Sequence, residues 1–193
     1  MTQHFFIRDR IQAGISVKQQ LLEDAALLER IDQFAHRLTY AFQEGKKALF
    51  CGNGGSAGDA QHIAAELSGR FYKNRPPLYA EALHVNSSYL TAVANDFGYD
   101  EVYARMVEAA GRAGDVLVAI STSGNSTNVI RAIEAARLQN MTVIGLTGAG
   151  GGAMASLCDV LIDVPSTDTP RIQEIHILIG HIVCEIVENR MFE

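Results

Sequence analysis

The stretch Ala48-Leu-Phe-Cys-Gly-Asn-Gly-Gly-Ser56 decides the fold, because an apolar run of strand length passes into a loop of small residues. The segment after the loop has helical periodicity. A strand that leads through a short loop into a helix presents free backbone N–H groups and the positive end of a helix dipole. Gly54 and Gly55 let an anion approach the backbone closely, and Ser56 adds a hydroxyl donor. One such loop is equally compatible with an ordinary turn between a strand and a helix.

A second stretch has the same organisation. The apolar run Val116-Leu-Val-Ala-Ile120 leads into the hydroxyl-rich loop Ser121-Thr-Ser-Gly-Asn-Ser126, and a helical pattern follows. Two such loops indicate a phosphorylated ligand. Neither loop has the GxGxxG spacing of a dinucleotide site, and the sequence has no GxxxxGK[ST] motif for a nucleoside triphosphate. We therefore expect a single phosphate group on a small molecule.

From Lys46 onward, strand-like and helix-like segments alternate, which predicts a parallel sheet covered on both faces. The predicted strands are Ala48–Cys51, Ala80–Val85, Val116–Ile120, Thr142–Leu146 and Val160–Val164. The predicted helices begin near Ser56, Ser87, Glu101, Asn125, Gly152 and Pro170. Ligands of such open sheets bind beyond the carboxyl ends of the strands, where both polar loops are expected.

Residues 1–45 show no strand pattern and are predicted to form a helical hairpin in front of an α/β core at residues 46–193. Their apolar residues recur at helical spacing, so we expect two amphipathic helices that each bury one face. The hairpin either covers the sheet or packs against copies of itself, as in four-helix arrangements. No linker or repeat divides the chain, which predicts a single domain over residues 1–193.

The composition limits the class of protein. The chain has 193 residues, of which 48% are hydrophobic, and this suffices for one globular domain. A net charge of -6 argues against an extended nucleic-acid surface. The three cysteines have no CxxC spacing, which is typical of buried thiols in a reducing compartment. With neither a signal-peptide pattern nor an apolar run of membrane-spanning length, the sequence predicts a cytoplasmic protein that contacts no membrane.

The helix predicted after the first loop carries His62 and Glu66, four residues apart and therefore on one face. Asp59 precedes His62 by three residues, near the same face. A histidine and a glutamate at this spacing can bind one metal ion or act as an acid and a base. The alternative is an ordinary surface ion pair.

The last predicted helix begins at Thr169 and Pro170, a good capping and first-turn combination, and is apolar almost all round. Gln173, His176 and His181 are its polar exceptions, and each needs a partner if buried. Gln173 and His181 are separated by about 12 Å along a straight helix and about 80° around it. They reach one metal ion only from opposite directions, unless one ligand comes from another subunit.

Taken together and in this order, the motifs resemble those of the phosphoheptose isomerases, a family of the sugar isomerase (SIS) domain superfamily. The motifs are CGNGGS at 51–56, QHIAAE at 61–66, ANDFG at 94–98, GDVL at 114–117, STSGNS at 121–126 and RIQEIH at 171–176. The resemblance implies a three-layer αβα sandwich with a five-stranded parallel sheet. It also implies a homotetramer with active sites between subunits. The implied reaction converts D-sedoheptulose 7-phosphate to D-glycero-D-manno-heptose 7-phosphate and feeds bacterial heptose and lipopolysaccharide-core synthesis.

The resemblance also implies roles for individual residues. Glu66 and His181 match the catalytic pair, and Glu66 and Gln173 also meet the substrate. One zinc ion per subunit is implied, with ligands that match His62, Glu66, Gln173 and His181. The phosphate is expected on Gly54, Gly55, Ser56, Ser121, Thr122, Ser123 and Ser126, and the sugar hydroxyls on Asn53, Asn95 and Asp96.

These residue types suit the chemistry of a ketose–aldose conversion, in which a proton moves between C1 and C2 through an enediol. Glu66 and His181 are plausible proton carriers because burial and neighbours can tune both toward neutral pKa. A zinc ion would polarise the carbonyl group. If Glu66 also ligates zinc, its role as a free base is in question, and which of the two side chains takes the carbon-bound proton stays open.

Three other functions are compatible with part of this pattern. A non-enzymatic relative with the same fold binds the bacterial replication initiator, but it lacks counterparts of Glu66 and His181. An isomerase of another sugar phosphate is a second alternative, because no residue reports the carbon number. A sugar-phosphate-sensing regulator usually carries a DNA-binding domain, and this sequence shows no sign of one. Arg70 and Arg75 are expected to be solvated charges.

Overall fold

The computed structural model describes residues 3–192 and shows a five-stranded parallel sheet with the strand order β2-β1-β3-β4-β5. The strands are β1 (Ala48–Gly52), β2 (Ala80–Ala82), β3 (Val116–Ile120), β4 (Thr142–Thr147) and β5 (Val160–Asp163). All five predicted strands are confirmed, although β2 ends three residues earlier than expected. The direction of winding reverses between β1 and β3, so a crevice opens beyond the carboxyl ends of these two strands.

Seven α-helices flank the sheet within the described residues. They are α1 (Gln3–Glu23), α2 (Ala25–Gln43), α3 (Gly55–Ser68), α4 (Ser87–Phe97), α5 (Val102–Ala110), α6 (Thr127–Leu138) and α7 (Thr169–Met191). The helix expected near Gly152 is only a short 3-10 turn, Gly152–Ser156. Gly150, Gly151 and Gly152 all have positive φ, so the backbone reaches this point outside the right-handed helical region.

The sheet separates two apolar cores, which confirms the three-layer αβα architecture. Every residue of β1 and β3 is buried, as expected for central strands covered on both faces. Phe50 packs into the core beneath α2, α3 and α7, whereas its neighbours Leu49 and Cys51 pack into the core beneath α5 and α6. The alternation of side chains along β1 thus supplies both layers.

The N-terminal hairpin forms as predicted, but its two helices differ in burial. Asp24 caps α2 by accepting a hydrogen bond from the backbone N–H of Leu27, and α2 buries a broad face. In α1, by contrast, the buried residues are Gly14, Val17 and Leu21. Within a single chain most of the apolar face of α1 therefore stays uncovered, so the hairpin covers the sheet mainly through α2, and packing against copies of itself stays a prediction for α1. Its large apolar side chains Phe5, Phe6, Ile7, Ile11, Ile15 and Leu22 are between 50% and 68% exposed.

Among the described residues, none of the helices has an apolar stretch long enough to cross a membrane.

Candidate active site

A cavity of about 310 Å³ lies at the crevice between β1 and β3 and collects both polar loops. Its lining residues are Asn53, Gly54, Gly55, Ser56, Ile120, Ser121, Thr122, Ser126, Thr169 and Gln173. A larger cavity of about 500 Å³ around Arg37 and Arg137 lies at the other end of the sheet, by the amino-terminal ends of β4 and β5. It is lined by none of the residues for which the sequence indicates chemistry. The smaller cavity is therefore the candidate site.

The first loop is shaped by glycine. Gly54 has φ +56° and precedes the first turn of α3, a conformation that side chains rarely adopt. At Gly55, an added Cβ would lie 2.5 Å from Nε2 of Gln173, so a side chain there would displace the Gln173 amide from its present position. Gln173 thus forms a wall of the cavity and packs directly on the loop expected to bind phosphate.

Hydroxyl groups converge in the second loop. Oγ of Ser121 lies 2.9 Å from Oγ of Ser126 and 3.5 Å from Oγ of Ser123. Ser126 occupies the cap position of α6 without a side-chain bond to the helix, because its hydroxyl engages Ser121 instead. The loop is braced by Asn125, whose amide donates to the Ser123 carbonyl and accepts from the backbone N–H of Ala153, both at 2.9 Å.

The electrostatics of the cavity favour an anion. The N-terminal ends of three helices reach it, at Gly55 of α3, Ser126 before α6 and Thr169 of α7. Each helix N-terminus carries about half a positive charge and free N–H groups. Among the described residues that line the cavity, none has a charged side chain. The cavity therefore offers neutral donors and helix dipoles, an arrangement suited to phosphate.

The first loop is also tied to residues that the sequence did not single out. Asn53 and Asn128 exchange two amide hydrogen bonds of 2.9 Å each, and the Tyr99 hydroxyl donates to Oδ1 of Asn53 at 3.3 Å. The buried hydroxyl of Tyr103 donates to the carbonyl of Gly52. The only sequence signal for Asn128 is its position in the first turn of the helix after the second loop.

Three potential metal-ligating side chains form a cluster on α3 and α7. Nε2 of His62 lies 3.1 Å from Oε1 of Glu66 and 3.3 Å from Nε2 of His181. One ligand atom from each of the three residues lies within 4.8 Å of the others. Ligand atoms about 2.1 Å from a tetrahedral zinc ion stand about 3.4 Å apart, so this donor set fits zinc.

The fourth predicted ligand lies elsewhere in this chain. Gln173 contacts the first loop at Gly55, two turns of α7 before His181. The structure thus brings His62, Glu66 and His181 together within one chain and places Gln173 on the cavity wall.

Two other candidate residues occupy more peripheral positions. Asn95 and Asp96 are exposed in the last turn of α4, where Nδ2 of Asn95 donates to Oδ1 of Asp96 at 2.8 Å. Neither residue lines the cavity. Asp59 lies half-buried on α3, and burial raises the pKa of its carboxyl to about 6 despite the nearby His62.

Arg75 is buried, so the expectation of a solvated charge is wrong. Its guanidinium donates to the carbonyls of Glu66 and Leu67 at the end of α3, at 2.9 and 2.8 Å, and pairs with Glu188 of α7. The pair connects the two helices that carry the His–Glu cluster. The available sequence signal was Glu188, which falls four residues after Cys184 on the apolar side of α7.

The fold and the hydroxyl-lined cavity at the switch point define a SIS-domain protein, and a family model described as "SIS domain" matches residues 15–148. The chain is 58% identical over 161 residues to the phosphoheptose isomerase of Rhodospirillum rubrum, covering 83% of this chain and 86% of that one. It is 50% identical to the phosphoheptose isomerase of Aneurinibacillus thermoaerophilus, covering 97% and 94% of the two chains.

A solved structure agrees with these relatives. The phosphoheptose isomerase from Neisseria gonorrhoeae superposes with a TM-score of 0.92 at 44% identity, covering 97% of this chain and 100% of that one. The chain therefore belongs to the phosphoheptose isomerase family.

Proposed function

We propose that this isomerase converts D-sedoheptulose 7-phosphate to D-glycero-D-manno-heptose 7-phosphate in the cavity between β1 and β3. The observation that carries the proposal is that helices α3 and α7 each connect the anion cavity with the cluster of His62, Glu66 and His181. Helix α3 begins at the anion cavity with Gly55 and continues to His62, about 10 Å further along its axis. Helix α7 likewise begins at the cavity with Thr169 and continues to His181. A sugar phosphate held by its phosphate in the cavity can extend toward the His–Glu cluster.

The phosphate would be held by neutral donors. Ser121, Thr122, Ser126 and the backbone N–H groups near Gly55 line the cavity, and Ser123 bonds to Ser121 at its edge. Three helix N-termini supply partial positive charge without the mobility of lysine or arginine side chains. Such a site fixes the phosphate end and leaves the carbonyl end free to reach the cluster.

Proton transfer is assigned to Glu66 and His181. A base takes a proton from C1 of the ketose, the electron pair of that C–H bond forms the C1–C2 double bond, and the C2 carbonyl oxygen takes up a proton to give an enediol. A proton is then delivered to C2 while the C1 oxygen loses its proton and becomes the aldehyde. Both side chains reach the same cluster, at 27% side-chain exposure for Glu66 and an intermediate value for His181. One group can thus serve the carbons and the other the oxygens.

We assign the cluster as the site of one zinc ion per subunit, held by His62, Glu66 and His181 with Gln173 as the fourth predicted ligand. The support is that the His62 nitrogen lies 3.1 Å from Glu66 and 3.3 Å from His181, close to the spacing of ligands around tetrahedral zinc. When bound, the zinc ion supplies a Lewis acid for the carbonyl oxygen. In this chain the Gln173 amide lies against Gly55, so the fourth ligand is either this side chain after it leaves Gly55 or a residue of another subunit.

We further propose a homotetramer with active sites near subunit interfaces. The support is the apolar stripe of α1, in which Ile7, Ile11 and Ile15 recur every four residues and are at least half exposed. Contiguous exposed apolar surface of this kind marks interaction sites. Helix α1 also packs against the first turn of α7, where Arg171 donates to the carbonyl of Arg10, so assembly through α1 lies close to the cavity.

The test is turnover of sedoheptulose 7-phosphate by purified, metal-analysed protein alongside the Glu66→Gln and His181→Gln variants. Loss of a general acid or base lowers the rate about 10²- to 10⁴-fold, and we expect losses in that range with the fold intact. The zinc content of each variant is measured as well, because both residues are also proposed zinc ligands and loss of the metal would lower turnover by a separate route. Glu185→Gln, an exposed substitution on α7, is the matched control and should retain wild-type turnover.

The outcomes separate the parts of the proposal. If either variant stays within a few-fold of wild type, the acid–base assignment is wrong for that residue. A well-folded, zinc-loaded wild-type protein without turnover contradicts the proposed substrate and favours another sugar phosphate or the initiator-binding role.

A further inference from the structure

The side-chain amide of Asn53 has one unused hydrogen-bonding group. Its Oδ1 accepts from Nδ2 of Asn128 at 2.9 Å and from the Tyr99 hydroxyl at 3.3 Å. Its Nδ2 donates to Oδ1 of Asn128 at 2.9 Å. An amide oxygen has two lone pairs and an amide nitrogen has two hydrogens. Both lone pairs are therefore engaged, and one N–H of a cavity-lining residue is left to donate.

Asn128 is buried and its side-chain amide bonds to Asn53. It lies in the first turn of α6 and is only 3% exposed, so its polar amide needs a partner within the protein. The hydrogen-bonding partner of its amide is Asn53, and the reciprocal pair joins the first phosphate loop to the helix that follows the second loop.

The tyrosines hold the same loop from the other side. Tyr99 lies in the 3-10 turn Tyr99–Glu101, directly after Gly98, whose φ of +92° redirects the chain at the end of α4. Four residues later, Tyr103 is buried and donates to the carbonyl of Gly52. One helical segment thus fixes both the backbone before Asn53 and the side-chain oxygen of Asn53.

We propose that Asn128 and Tyr99 are positioning residues that hold Asn53 as a hydrogen-bond donor to an oxygen of the sugar portion of the substrate. The proposal rests on the proposed function, which places a sugar phosphate in this cavity. The phosphate end already has the hydroxyls of Ser121 and Ser126 and three helix N-termini. The free N–H of Asn53 is therefore assigned to the sugar. Because Oδ1 of Asn53 is already engaged by Asn128 and Tyr99, this side chain can bind only a substrate group that accepts a hydrogen bond.

The experiment is a double-mutant cycle read by calorimetric binding of two ligands, sedoheptulose 7-phosphate and inorganic phosphate. Wild type is compared with Asn53→Ala, Asn128→Ala and the double variant. One neutral hydrogen bond corresponds to about a 2- to 12-fold change in Kd. We expect Asn128→Ala to weaken sugar-phosphate binding within this range and to change the phosphate Kd less than two-fold. The double variant should bind the sugar phosphate no more weakly than Asn53→Ala alone.

Tyr99→Phe removes only the hydroxyl and provides a second cycle if Asn128→Ala does not fold. We expect a smaller loss in the same direction, again absent in the Asn53→Ala background. Tyr79→Phe is the matched control, because Tyr79 is exposed and its hydroxyl bonds to Glu81 outside the cavity. It should change neither Kd.

The proposal would be overturned if the double variant lost the sum of the binding free energies lost by the two single variants. It would also be overturned if Asn128→Ala weakened the binding of sedoheptulose 7-phosphate and of inorganic phosphate equally. Either result would mean that the variants damage the loop as a whole. Wild-type protein that binds the sugar phosphate no more tightly than phosphate would also overturn it. Wild-type turnover is measured separately. Binding without turnover contradicts the proposed function alone, and the cycle then still decides the role of Asn128 and Tyr99.

Discussion

Nε of Arg75 lies 2.9 Å from Oε1 of Glu188, and each of the two side chains is only 2% exposed. The carboxylate also accepts the backbone N–H groups of Phe71, Tyr72 and Lys73. Burial raises the pKa of Glu188, but these four hydrogen bonds outweigh burial and leave the pKa below its usual value. The segment after α3 is therefore folded around a charge that α7 supplies.

Replacing that charge should destabilise the protein. In Glu188→Gln, the guanidinium of Arg75 stays buried without its counter-charge, and the new amide hydrogens face backbone N–H donors. Removing one member of a buried ion pair costs about 3–5 kcal/mol, and we expect a loss of this size in the free energy of unfolding. Urea unfolding at fixed protein concentration measures it.

Glu185→Gln is the control for this substitution, because Glu185 is on the same helix but exposed. Its effect should stay within about 0.5 kcal/mol. A loss below about 1 kcal/mol for Glu188→Gln would show that Arg75 is satisfied by its carbonyl partners at the end of α3 alone.

The fold was predictable because its signals are local. Near-continuous apolar strands such as Val116–Ile120, each followed by a helical pattern, were sufficient to give the parallel sheet and its layers. The prediction failed at Gly152 because three glycines with positive φ break the helix before it starts. For α1, periodicity indicated an apolar face but not what covers it, and within one chain that face stays largely exposed.

The candidate site divides in the same way. The loops before Ser56 and Ser126 combine glycines, hydroxyls and a following helix N-terminus within a few consecutive residues, so the sequence alone located them as candidate phosphate sites. Asn128 and Arg75 act through partners that are far away in the sequence. The identity of an asparagine or arginine does not indicate whether its side chain is buried, so the sequence did not reveal these two residues. Spacing on α7 separated Gln173 from His181, and the structure agrees by placing them against Gly55 and His62, respectively.

Zinc removal should lower stability as well as activity. We expect one zinc per chain in the purified protein, a fall in Tm after chelation and recovery when zinc is added back. Ligand binding at 100 times its Kd stabilises the folded state by about 2.7 kcal/mol. His62→Ala should abolish the zinc-dependent shift in Tm, whereas His36→Ala, an exposed histidine on α2, should retain it. Equal melting with and without zinc in the wild type would contradict the metal assignment.

A charge on the exposed face of α1 should break the assembly. Ile11 and Ile15 lie on its apolar stripe, and aspartate at either position would place an unpaired carboxylate in a subunit interface. Sedimentation velocity should show a tetramer for wild type and smaller species for Ile11→Asp and Ile15→Asp. Leu138→Asp is the control, because Leu138 is 85% exposed at the end of α6. A tetramer that survives both α1 substitutions would place the interface elsewhere.

His176 should make stability depend on pH in the acidic range. The side chain is fully buried on α7, its Nε2 lies 3.1 Å from the carbonyl oxygen of Thr147, and its Nδ1 has no partner. Burial lowers its pKa from 6.5 to about 4, although the hydrogen bond to Thr147 acts in the opposite direction. Between these values the unfolded chain binds a proton that the folded protein does not bind. Stability therefore falls as the pH decreases from about 6.5 toward 4, by about 1.4 kcal/mol per pH unit.

The comparison that isolates this effect is His176→Gln, which keeps an N–H donor for Thr147 but does not titrate. Other histidines, including His62 and His181, are common to both proteins and cancel in the difference. Urea unfolding of the two proteins at pH 7 and pH 5 should show that any advantage of the wild type over the variant shrinks by about 2 kcal/mol at the lower pH. A difference that is the same at both pH values would mean that folded His176 accepts its proton as readily as the unfolded chain does. Its buried Nδ1 would then have to find a partner when protonated.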